Sequence, residues 1–68
     1  MSTAEKIRIL RSHIESTVTL IRDLGEGVQA YITRIDGEGD DTTCTFMDIM
    51  EGVERMLSIS EIDDIEVQ

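Results

Sequence analysis

Aromatic side chains are scarce in this sequence: Tyr31 and Phe46 are the only two in 68 residues, and tryptophan is absent. Two rings make a poor platform for stacking bases, which argues against direct binding of single-stranded nucleic acid. Cysteine is scarcer still. The one cysteine, Cys44, excludes an intrachain disulfide, so the chain lacks a covalent support that many small domains use. Long apolar runs are also missing. None approaches the roughly 18 residues of a spanning helix. The opening Met-Ser-Thr-Ala-Glu-Lys lacks the basic and apolar regions of a secretory signal. These absences predict a soluble, cytoplasmic protein with no membrane partner.

Basic residues are few, and their distribution is uneven. Residues 1–24 carry Lys6, Arg8, Arg11 and Arg22 against Glu5, Glu15 and Asp23, a balance of +1. Residues 25–68 carry twelve acids against Arg34 and Arg55, a balance of −10. A field of that sign repels phosphates and attracts basic surfaces, including those that bind DNA or RNA. The expected partner is therefore a protein with a basic surface and not a nucleic acid. The acidity also serves solubility, and composition does not separate the two roles.

Residues 1–68 are short enough to form one domain whose small core invites support from a second chain. The strongest periodic signal is N-terminal. Ser2 and Glu5 form a candidate capping box, and Ile7, Leu10, Ile14, Val18, Ile21 and Leu24 recur at helical spacing. Arg22 and Gly25 then read as a stop, predicting one long helix over about residues 3–24. Ile9, His13 and Leu20 widen its apolar face, which points to a homo-oligomer interface through Ile14, Ile21 and Leu24. An alternative fold class is an all-α helical hairpin or coiled-coil bundle, because Ile7, Ile14, Ile21, Val28 and Ile35 keep a seven-residue spacing. Against it stand Gly25, Gly27 and the β-rich stretch from Val28 to Ile35.

The run M-E-G-V-E-R-M-L-S-I-S at residues 50–60 fits two periods. As a helix it leaves the tail after Ser58 without a role. As a strand it pairs with the stretch from Thr43 to Met50 across a Glu51-Gly52 turn, setting Asp48 opposite Arg55 and Phe46 opposite Leu57. The α+β reading follows: a long N-terminal helix on a four-stranded antiparallel sheet of about residues 28–35, 43–50, 53–59 and 64–67.

The closing S-E-I-D-D-I-E-V of residues 60–67, entered from a strand, resembles the last strands of small SH3-like and Sm-like barrels. The order of helix and then meander is similar to the Sm-like layout. The resemblance covers about fifteen residues plus element order. It implies a partial barrel and, because the chain is acidic and short of a fifth strand, not the family's RNA binding. Acidic Sm-like proteins such as the Rof-type inhibitors of the termination factor Rho offer an analogy for inhibiting an RNA-handling partner.

Glu61, Asp63, Asp64 and Glu66 form an acidic cluster suited to docking a basic partner. Asp36, Glu38 and Asp40 alternate like calcium ligands, but Asp41 stands where that loop needs glycine and Met47 where it needs glutamate, so no metal is expected. Tyr31 and Arg34 are candidate contacts for a small ligand, nucleotides included, if the chain is a ligand-binding oligomer. A structural subunit of a larger particle is the third possibility. His13 and Cys44 stand too far apart in sequence to suggest a nucleophile and its base. No cofactor motif occurs, because Gly25-Glu26-Gly27 lacks the context of a phosphate loop. Met47, Met50 and Met56 read as core filler. The resulting expectation is a non-enzymatic, acidic interaction protein.

Overall fold

The computed structural model describes residues 1–22 and 25–67. Its first helix, α1, spans Thr3–Arg11 and begins at the capping box: the Ser2 hydroxyl accepts from the Glu5 N–H at 3.1 Å, and Glu5 Oε1 accepts from the Ser2 N–H at 3.2 Å. Two of the four N–H groups that every helix start leaves unbonded are thereby engaged locally.

The long helix expected over residues 3–24 is overturned. It stops at Arg11, and Thr17–Arg22 form strand β1. The physical reason lies in residues 12–21. The Ser12 hydroxyl turns back on the carbonyls of Arg8 and Ile9, and His13 Nδ1 lies 2.7 Å from the Ile9 carbonyl oxygen, so both side chains close the helix end. Glu15 then takes a left-handed φ of 67°, which breaks the helical path. The following Thr17-Val18-Thr19-Leu20-Ile21 is rich in β-branched residues and alternates, with Val18 and Leu20 fully buried between half-buried threonines. A stripe at three- and four-residue spacing thus held a strand pattern at period two.

Strand β2 spans Glu26–Asp36 and lies at the centre of a five-stranded antiparallel sheet, one strand more than expected. It also excludes the all-α alternative, since Val28 and Ile35 lie on this strand and not on a continued helix. Strands β3 (Thr43–Asp48), β4 (Val53–Ser58) and β5 (Asp64–Val67) complete the order β4-β3-β2-β1-β5. The β2–β3 register slips by one residue around Thr33, whose hydroxyl donates to the Thr45 carbonyl at 2.9 Å. Because of this bulge Ile32 and Ile35 both bury although three positions apart.

The two-period stretch forms the β3–β4 hairpin, shifted by two residues from the expected register. Asp48 pairs with Val53, Phe46 with Arg55 and Cys44 with Leu57, so the turn occupies residues 49–52 in place of Glu51-Gly52 alone. A shift of two leaves every side chain on its original face. Met50 is thereby moved out of the sheet and is 79% exposed, and Met56 is exposed as well, so neither fills the core. Ile59 leaves the strand to enter a 3₁₀ turn, Ile59–Glu61, that carries the chain across to β5 beside β1.

One face of the sheet, with α1 and the 3₁₀ turn packed on it, forms the core. Phe46, Leu10, Leu20, Ile32, Ile59 and Ile62 are its largest fully buried side chains. Each contributes about 1.5–3 kcal/mol by leaving water, which makes this single cluster the main source of stability. Among the described residues no helix is long and apolar enough to cross a membrane.

Candidate functional site

The acidic cluster lies at the end of the chain's path over the core. Glu61 closes the 3₁₀ turn, Asp63 follows it, and Asp64 and Glu66 alternate on β5 with Ile65, whose side chain is buried. All four acids are exposed. Asp64 and Glu66 stand opposite Ile21 and Thr19 of β1, on the sheet face away from the core. Among the described residues strand β5 pairs with β1 alone, so its outer edge keeps unpaired backbone groups there. None of the four acids forms an ion pair among the described residues, although Asp64 Oδ1 accepts locally from the Ile65 N–H at 2.8 Å.

Lys6 positions this segment. Its ammonium group donates to the carbonyls of Ile59 at 3.1 Å and Ile62 at 2.7 Å, bridging α1 to the turn that precedes β5. Only 8% of the residue is exposed. Two carbonyl dipoles replace the water that a buried charge would otherwise lose. Sequence reading passed over this residue. The available signal was its place four residues before Leu10, on the stripe side of an amphipathic helix.

Elsewhere two aspartates are held by arginine. Asp48 is almost fully buried, accepting from the Glu51 N–H at 3.1 Å and from Arg55 Nε at 3.0 Å. The Glu51 N–H, and after it the Arg55 guanidinium, hold its carboxyl below the usual carboxylate range. Asp36 is bonded to Arg34 Nε at 2.6 Å, and Asp40 and Asp41 form part of a short 3₁₀ turn, Gly39–Asp41. Arg34 lines a groove with Thr45, Glu54 and Met56, but Tyr31 does not line that groove with it. The two residues suggested for a ligand are therefore not brought together there.

Of the three residues expected at an oligomer interface, Ile14 lies in the turn after α1 and is 41% exposed, and Ile21 is half-buried on β1. Leu24 lies outside the described residues. The shared helical stripe that grouped them does not form. Cys44 is fully buried in the core, where desolvation pushes its thiol up to about 12, so it stays protonated and unreactive at neutral pH. No protein-family model matches this chain, and neither a curated protein nor a solved structure matches it.

Proposed function

We propose that this chain is a non-catalytic, acidic protein-binding module that docks on the basic surface of a nucleic-acid-binding partner and inhibits it. One observation supports this most: Glu61, Asp63, Asp64 and Glu66 are grouped, exposed and free of ion pairs among the described residues, while Arg34 and Arg55 are committed to Asp36 and Asp48. Their charge thus remains available to an incoming surface. The open edge of β5 adds backbone groups that an extended partner segment could pair with. The order of short helix, four-strand meander, 3₁₀ turn and a fifth strand beside the first supports the likeness to small Sm-like barrels.

Carboxylates presented to a basic cleft compete with phosphates for the same lysines and arginines, which makes the interaction strongly dependent on salt. The test is affinity capture from a cell extract with the wild-type chain and with the variant Glu61→Gln, Asp63→Asn, Asp64→Asn, Glu66→Gln. The proposal requires that the wild type enrich nucleic-acid-binding proteins, release them as salt is raised and lose them in the variant. Equal capture by both chains, or capture insensitive to salt, refutes it.

A further inference from the structure

A groove of about 890 Å³ runs between α1 and the loop joining β2 to β3. Ala4, Ile7 and the stems of Arg8 and Arg11 line one side, and Gly39 and Asp40 line the other. Arg11 Nη2 donates to the Gly37 carbonyl at 3.0 Å and so fixes the loop to the helix. Arg8 is exposed, with no hydrogen bond or ion pair of its side chain among the described residues. The groove therefore offers an apolar floor with one fixed and one available guanidinium.

An exposed apolar projection stands at the other end of β3. In the turn of residues 49–52 and the start of β4, Ile49, Met50 and Val53 are 45%, 79% and 44% exposed, and Glu51 is exposed between them. The knob is rigid, because the Gly52 N–H donates to the Asp48 carbonyl at 2.7 Å and the Glu51 N–H to the Asp48 carboxylate. Three neighbouring exposed apolar side chains around one acid suit an apolar groove edged by arginine.

We infer that the hairpin knob of one copy docks in the helix groove of a second copy, so that the chain self-associates head to tail. Charge selects this occupant: the Glu51 carboxylate meets Arg8 and Arg11, two neighbouring guanidinium groups that form no ion pair among the described residues. Geometry excludes docking within one copy. The groove loop and the knob lie at opposite ends of β3, about 17 Å apart at 3.3 Å per residue along one paired strand. The contact is heterologous, leaving a free groove at one end of each assembly and a free knob at the other. Asp40 opposes it locally, and its replacement by asparagine strengthens it.

Sedimentation velocity over a concentration series tests the inference, at about 0.15 M salt, where a screening length of about 8 Å suppresses the mutual repulsion of two acidic copies but not contacts within the groove. The wild type, Arg8→Glu, Glu51→Arg and their equimolar mixture are compared. The wild-type mass is expected to rise with concentration, each variant alone to associate about tenfold more weakly, and the mixture to recover, since the intact groove of one variant meets the intact knob of the other and the reversed groove meets the reversed knob. Met50→Ser, which leaves charge unchanged, is expected to weaken association as well. A wild type that stays monomeric throughout, or variants that associate like the wild type, overturns the inference. A mixture without recovery, from variants that melt like the wild type, overturns it too.

Discussion

Residues 36–48 and residues 61–66 are both rich in carboxylates, yet among the described residues only the first stretch pairs any of them with arginine, while its Glu38, Asp40 and Asp41 stay exposed and unpaired. In the first stretch Asp36 and Asp48 each hold an arginine, and Asp48 also closes a turn. In the second, four acids stand exposed without an ion pair among the described residues, and the backbone beneath them is secured from outside by Lys6. Composition alone does not distinguish a structural carboxylate from an available one. The distinction comes from whether a cation lies within reach on the folded surface.

The largest expected break of that contrast lies in the first stretch. Gly37 has φ of +90°, and a Cβ there would stand 2.9 Å from the Asp41 carbonyl oxygen and 3.2 Å from the Thr42 Cα. Gly37→Ala should cost about 3 kcal/mol, read as a drop in Tm on the order of 10 °C or more. Next comes the support of the second stretch. Lys6→Met keeps the packing but leaves the Ile59 and Ile62 carbonyls without their donor, and should cost about 2 kcal/mol in urea unfolding. Amide exchange in residues 59–66 should rise in that variant before it rises elsewhere.

Acid titration sharpens the comparison further. A carboxylate held below its ordinary value adds stability above that value and loses it as pH falls through the folded one. Asp48→Asn should therefore be less stable than the wild type at neutral pH, and the difference should shrink as pH falls below about 4. Unfolding midpoints measured across that range check the sign, and a difference that grows towards low pH contradicts it. The smallest effect on stability belongs to neutralising Glu61, Asp63, Asp64 and Glu66 together. That change should stay within about 0.5 kcal/mol, because no ion pair within the described residues is lost.

How far the sequence could be read depended on which periods competed. The capping box of Ser2 and Glu5, the β3–β4 hairpin and the turn into β5 were visible as local patterns, since each is made by residues near one another in the chain. The end of α1 was not. Ile14, Val18 and Ile21 satisfy a helical stripe as well as Val18 and Leu20 satisfy a strand, and partner strands β2 and β5 decide the matter from far along the chain. The hairpin was displaced by two residues because Asp48 prefers to close a four-residue turn, a bond that periodicity does not encode. At the candidate sites, the acidic cluster was readable from its composition and spacing. The knob and groove were not, because exposure of Met50 and the availability of Arg8 depend on that register and on the short helix.

Lys6 binds carbonyls 53 and 56 positions further along the chain, and β1 pairs with β5 across a similar span. The first helix therefore lacks its Lys6 anchor until residues 59–62 exist, although Arg11 can already reach the Gly37 carbonyl. Contacts of such long sequence separation slow folding, because loop closure precedes any reward from packing. During synthesis, the meander from β1 to β4 can pair as it emerges, while the core stays open where Ile59, Ile62 and Ile65 will close it. The time between making the hairpin and releasing β5 is then the interval in which this small protein is most open to aggregation.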